Sequence, residues 1–322
     1  MHPVGLYWVN EMDITEDIGR LWRANMHRIL DIKSRILAKK KPTTNLDYDT
    51  YKEKTLVALI TGGSGGLGLE IAIALVQRYK SVIVAIVDVV PPKKQLVKQY
   101  PNIIHYRCDI TDSFQVAHMK KKVLLDFGKV NILVNNAAIT IIKQLTDMTE
   151  AEIQRVINVN LIASYHLVSM FVPEMLYTKN GCIINIASVL GELTPSRLIV
   201  YGATKGGLIE LHNYLNQQIN AHNSYAYNRR GLKAILVCPG KISTTMFKDV
   251  DTPSKFLAPD LPPNELATEI IKTVDSKISS TLRRPYYSGL IPYIKILNQS
   301  YLDLLKNLSG MNRVTKLKKK ML

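Results

Sequence analysis

Residues 61–68 read Thr-Gly-Gly-Ser-Gly-Gly-Leu-Gly, and they lie between an apolar run, TLVALI (55–60), and a helical one, LEIAIALVQRY (69–79). Glycine takes positive φ without strain and lets the backbone approach a ligand closely. A helix that starts at such a turn presents free N–H groups and the positive end of its dipole to an anion. Strand, glycine turn and helix in that order define a phosphate-binding βα unit. The spacing fits G-x-x-x-G-x-G at Gly62, Gly66 and Gly68, and also G-x-G-x-x-G at Gly63, Gly65 and Gly68. Gly62, Ser64, Gly66, Leu67 and Gly68 are therefore the candidate contacts to the pyrophosphate of a dinucleotide.

Four more apolar runs follow: SVIVAIVDV (81–89), VNILVNNA (130–137), CIINIAS (182–188) and LKAILVCP (232–239). They are short, β-branched and apolar on both sides, the pattern of buried parallel strands. The stretches between them are long enough for crossover helices. This predicts an α/β chain with a doubly wound parallel sheet of Rossmann type and helices on both faces. A hydrophobic content of 47% over 322 residues suffices for one substantial core. Residues 56–275 are expected to form the catalytic domain, flanked by a basic amphipathic extension at 1–55 and an apolar and basic one at 276–322.

The second strand ends in Asp88, placed to accept hydrogen bonds from a ribose 2′-hydroxyl and to repel a 2′-phosphate. Val89 and Val90 follow it, so NAD is favoured over NADP, while Lys93 and Lys94 keep NADP open. Asp88 also suits an ordinary strand-end turn.

Tyr201-Gly-Ala-Thr-Lys205 sets a phenol and an ammonium four residues apart, on one face if the segment is helical. A free phenol, with a pKa near 10, is a poor base at neutral pH, and a neighbouring cation favours the phenolate. A tuned tyrosine can take a proton from an alcohol or give one to a carbonyl. Ser188, thirteen residues upstream at a strand end, can hold the substrate oxygen beside it.

With these motifs the sequence resembles the Ser–Tyr–Lys short-chain dehydrogenases/reductases over residues 56–275. The resemblance implies about seven parallel strands in 3-2-1-4-5-6-7 order, an NAD(P)-dependent oxidoreductase acting on CH–OH groups, and a homo-oligomer. Ser188, Tyr201, Lys205 and Asn160 match the catalytic four, the last of them working through a water and the lysine. Asn158 is less well placed for that role. Asp109 matches the acid that contacts adenine. Asn135-Asn136-Ala137-Ala138 is similar to the family's N-N-A-G, with alanine for the last glycine. Pro239, Ile242 and Thr244 match the segment that closes over the nicotinamide. Among subgroups the chain looks most like membrane-bound members acting on retinoids, hydroxysteroids and other lipids. That likeness implies a lipophilic small-molecule substrate, with Met246, Phe247, Phe256 and Leu257 as candidate pocket residues that suit packing onto the core equally well. The alternative is a dinucleotide-binding scaffold or sensor without turnover, which has no need of Tyr201 and Lys205 together.

The formal net charge of +16 gathers at the two ends. Arg20–Lys41 carries eight basic residues against one acid, among aliphatic residues at helical spacing. Such a segment suits an anionic membrane surface, as do Tyr286, Tyr287, Leu290, Ile291, Tyr293, Ile294 and Ile296 near the other end. The same residues suit helices packed on the catalytic domain. Nucleic acid is not expected as a partner, since the basic ends lack a recognised module. Lys319-Lys320-Met321-Leu322 resembles a dilysine retrieval signal. The opening MHPVGLYWVNEMD is too short and too soon acidic for a signal peptide, and no run reads as a clear transmembrane helix. The expected place is the cytosolic face of the endoplasmic reticulum or a lipid droplet. Cys108, Cys182 and Cys238 sit singly in apolar runs and predict neither a disulfide framework nor a metal site.

Overall fold

A computed structural model describes residues 55–178, 181–224, 231–248, 259–276 and 279–308. The basic segment of the N-terminal extension, the dilysine ending, Phe256 and Leu257 lie outside the described residues.

Strand and helix alternate. β1 (Leu56–Thr61) leads through the glycine turn into α1 (Gly66–Arg78), then β2 (Val82–Asp88), α2 (Lys94–Gln99) and β3 (Ile103–Arg107). α3 (Ser113–Phe127) and β4 (Ile132–Asn135) follow, then α4 (Glu150–Ile157) and α5 (Ala163–Thr178), joined by a π-helical turn over Asn158–Ile162. β5 (Gly181–Ile186), α6 (Ile199–Ser224), β6 (Leu232–Pro239), α7 (Pro263–Val274) and β7 (Ser280–Arg284) complete the sheet. Two helices, α8 (Ile291–Ile294) and α9 (Gln299–Leu308), come last.

The seven strands are all parallel, in the order β3-β2-β1-β4-β5-β6-β7. Period-two alternation sends neighbouring side chains to opposite layers. Ala58 and Ile60 pack with Ile71 and Leu75 of α1 and Ile270 of α7. Leu59 packs with Val123 of α3, Phe171 of α5 and Leu215 of α6. Both faces are therefore covered, which is why the strands read as continuous apolar runs. Residues 150–176 are, among the described residues, the one helical stretch long and apolar enough to cross a membrane by length and composition. Its Leu167, Phe171 and Met175 are buried in the layer beside the sheet.

β1 pairs with β2 on one side and β4 on the other, so the strand order reverses there. A doubly wound sheet opens its ligand crevice at this reversal, beyond the carboxyl ends of the strands. β7, which closes the far edge, comes from the segment assigned to the C-terminal extension on sequence.

Candidate active site

A cleft of about 1210 Å³ lies at that reversal, lined from the glycine turn at one end to Tyr287 and Ile294 at the other. Gly62 and Gly66 take positive φ, at 63° and 53°, as their turn requires. Gly62, Gly66 and Leu67 line the cleft, and Ser64 and Gly68 are not among its lining residues. Gly68 packs the helix start onto the turn: a Cβ there would fall 2.4 Å from the Gly62 carbonyl oxygen. The Ser64 N–H donates to Asp88 at 3.1 Å. Among the described residues the Ser64 hydroxyl is buried without a hydrogen-bond partner.

These residues fit a dinucleotide pyrophosphate. Gly65, the residue before α1, would meet nothing within 4 Å with an added Cβ. The α1 N-terminus has no side-chain cap and no acid in its first turn, so its N–H groups remain available to phosphate. Asp88 and Asp109 line the same end. The Asp109 carboxylate also accepts from the Thr111 amide and hydroxyl.

Asn135 and Asn136 divide the asparagine work in a way the motif does not reveal. The buried Asn135 amide donates to its register partner Asn185 on β5 at 2.8 Å, and Asn135 is not among the residues that line the cleft. Asn136 lines the cleft and donates to the carbonyls of Thr61 and Gly62 at 2.9 and 3.2 Å, pinning the glycine turn.

Ser188, Tyr201 and Lys205 all line the cleft and stand close to one another. Ser188 begins the 3-10 turn Val189–Gly191, and its hydroxyl accepts from the Leu190 N–H at 3.1 Å. Tyr201 and Lys205 share the sheet-facing side of α6 and are 6% and 2% exposed. The Lys205 ammonium donates to the Ile186 carbonyl at 2.7 Å and lies 5.7 Å from the centre of the Tyr201 ring. Burial pushes the Tyr201 phenol above its ordinary range, and its interaction with the Ser188 hydroxyl opposes the shift. Burial also pushes the Lys205 ammonium down, to about 8, with Cys238 opposing.

Asn160 sits one layer back, fully buried in the π-helical turn. Its side chain accepts from the Ile139 N–H at 2.8 Å, donates to the Ile139 carbonyl at 2.9 Å, and reaches the Thr204 hydroxyl at 3.2 Å. It thus holds the strand exit beside the cleft and the residue next to Lys205. Asn158, the less well placed alternative, lines the cleft itself. Pro239, the last residue of β6, and Ile242 and Thr244 beyond it line the cleft, with the Thr244 methyl 3.5 Å from where a Gly66 Cβ would stand.

Phe247 meets the Tyr201 ring edge-on, with centroids 5.8 Å apart. Tyr287, Leu290, Ile291 and Ile294 also line this end. Sequence had left them open between membrane and core; the available signal was their aromatic and aliphatic clustering, which names no partner. Among the described residues no group of three or more His, Cys, Asp or Glu side chains could hold a metal. The three cysteines are free and buried.

A doubly wound sheet, a glycine turn and a serine, tyrosine and lysine on one cleft define a dinucleotide-fold oxidoreductase. Residues 56–255 match the family model described as short chain dehydrogenase, and the chain belongs to that family. It is 45% identical to an uncharacterized oxidoreductase of Saccharomyces cerevisiae over 278 residues, 85% of this chain and 89% of that one. A 3-oxoacyl-[acyl-carrier-protein] reductase of Thermotoga maritima is 31% identical over 195 residues, 59% of this chain and 75% of its own. The solved structure of ElxO with NADP bound superposes with a TM-score of 0.61 at 25% identity, covering 73% of this chain and 99% of that one.

Proposed function

We propose that this chain moves a hydride between a nicotinamide dinucleotide and the alcohol or carbonyl carbon of a lipophilic small molecule. The observation that carries the reading is the convergence of Ser188, Tyr201 and Lys205 on the cleft that begins at the glycine turn. A dinucleotide bound there supplies or accepts the hydride; the chain handles the proton. In this reading the Ser188 hydroxyl holds the substrate oxygen, and the Tyr201 phenol gives it a proton or takes one away. Lys205 holds positive charge beside the phenol and fixes its face of α6 to the end of β5. Asn160 acts at one remove, through Ile139 and Thr204.

NAD is the preferred cofactor in this reading and NADP the second choice. Asp88 at the adenosine end and the uncharged Val89 and Val90 beside it support that order. Phe247, Leu290, Ile291 and Ile294 support a lipophilic substrate, since burying apolar surface there contributes about 25 cal/mol per Å². The similar 3-oxoacyl reductase supports reduction of a carbonyl on an acyl-like chain. Tyr286, Tyr293 and Ile296 are exposed next to this end and support contact with a membrane surface, on the endoplasmic reticulum or a lipid droplet.

The test is a cofactor-consumption screen of the purified full chain in detergent. Long-chain alcohols and ketones, hydroxysteroids, retinoids and 3-oxoacyl thioesters are each tried with NAD(H) and NADP(H). Turnover with apolar substrates is expected. Measured dinucleotide binding with no turnover across the panel would overturn the enzyme reading.

A further inference from the structure

Arg283 grips the loop that follows Ser188. Its guanidinium donates to both carboxylate oxygens of Glu192, at 2.8 and 2.6 Å, and also reaches the Ser288 carbonyl at 3.5 Å. The two side chains are only 19% and 10% exposed. A two-pronged contact of this kind fixes direction as well as distance. Its seclusion means that removing either partner strands a charge away from water.

Each partner sits at a junction of the cleft. The Glu192 N–H donates to the Val189 carbonyl at 3.0 Å, closing the turn that Ser188 begins. Gly191, in that turn, lies so close to the Lys205 backbone that a Cβ would fall 2.7 Å from its carbonyl carbon. Arg283 lies in β7 opposite Cys238 of β6. The carbonyl of the next residue, Arg284, accepts the Gly240 N–H at 2.7 Å. The Arg283–Ser288 contact spans the turn Tyr286–Gly289, which lays Tyr287 against Gly240: a Cβ on that glycine would fall 2.4 Å from the Tyr287 hydroxyl. One charged pair therefore joins the serine loop, the end of β6 and the C-terminal wall. Neither Glu192 nor Arg283 lines the cleft itself, whereas Tyr287, Leu290 and Ile291 do.

We infer that Glu192 and Arg283 are positioning residues that set the substrate end of the cleft, by holding the C-terminal wall at a fixed distance from the serine loop. The inference rests on the oxidoreductase reading for its kinetic consequence and on geometry alone for its structural one.

Three variants of the full chain test it: Glu192→Gln, Arg283→Lys and the exchanged pair Glu192→Arg with Arg283→Glu. Amide hydrogen exchange without ligand reads the coupling. Each single variant is expected to speed exchange in both 188–195 and 285–294 while leaving 263–274 unchanged, and the exchanged pair to restore protection. With the best substrate of the screen, KM is expected to rise about tenfold with little change in kcat, because binding and not the chemical step is disturbed. Dinucleotide affinity, read by NADH fluorescence, is expected to hold. If Arg283→Lys fails to fold, Glu192→Gln carries the test. Loosening confined to the mutated segment, or an unchanged KM, overturns the inference. A wild-type chain that turns over nothing sinks the enzyme reading instead, and the exchange result still decides whether the pair couples the two walls.

Discussion

The Lys205 ammonium is bonded to the Ile186 carbonyl, 2.7 Å away, so helix α6 is tied to the end of β5 two residues before Ser188. That bond sets a phenol one helical turn earlier, at Tyr201, beside a serine on a different element. Strand end and helix face are thus registered to each other by the same side chain that supplies the positive charge.

Tyr201→Phe removes the hydroxyl and keeps the ring that packs on Phe247. Turnover is expected to fall about a thousandfold, the scale of a lost proton-transfer group. NADH binding, followed by fluorescence, is expected to change little. Turnover near the wild-type rate would exclude Tyr201 as the proton donor.

Gly68→Ala would drive a methyl to within 2.4 Å of the Gly62 carbonyl oxygen and 2.5 Å of the Asn136 amide nitrogen. That amide is already held by Thr61 and Gly62, so the turn must shift. A loss of about 1–3 kcal/mol in stability is expected from the overpacking. Dinucleotide affinity should fall with it. Thermal unfolding with and without NADH measures both; full affinity would show that the turn adapts.

Asp88→Ala takes away the carboxylate that accepts the Ser64 and Val90 N–H groups. NAD affinity is expected to drop about tenfold, the order of one lost charge-assisted hydrogen bond. NADP affinity should hold or improve once the negative charge is gone. Titrations with both dinucleotides give the ratio, and a ratio that does not move would remove Asp88 from cofactor selection.

His212 lies on α6 two turns beyond Lys205, 3% exposed, and burial pushes its pKa down to about 4. A free imidazole titrates near 6.5, so the unfolded chain binds this proton first as pH falls. Stability is therefore lost on acidification from pH 6.5 towards 4, by at most about 1.4 kcal/mol per pH unit from this group. Subtracting urea-unfolding free energies of His212→Gln from those of the wild type at several pH values isolates it. A flat difference over that window would mean the imidazole is not held neutral by the fold.

Five of the seven strands were legible because they are buried on both faces and carry few polar residues. β3 (IIHYR) and β7 (STLRR) were not read from periodicity, and both are edge strands. An edge has one neighbour and partial exposure, so it admits His105, Arg107, Arg283 and Arg284, and its apolar signal fades. The glycine turn and the Tyr201–Lys205 spacing were legible because each lies within a few residues of continuous backbone. The motif does not say which of Asn135 and Asn136 lines the cleft, because that depends on the neighbouring strand and the glycine turn. The C-terminal wall was not legible for another reason: Tyr287, Leu290 and Ile291 suit a membrane surface or packing on the domain, and their clustering does not name the cleft they line.

By itself, the order of residues determined a phosphate-binding turn between strand and helix, the parallel α/β layering and a phenol–ammonium pair on one helical face. These follow from backbone conformation and local periodicity, which need no distant partner. Folding alone decided which asparagine pins the turn, that Tyr201 and Lys205 are buried together, and that Arg283 reaches Glu192, 91 residues away in the chain. Desolvation and ion pairing depend on what lies across the cleft, and a linear sequence does not contain that distance.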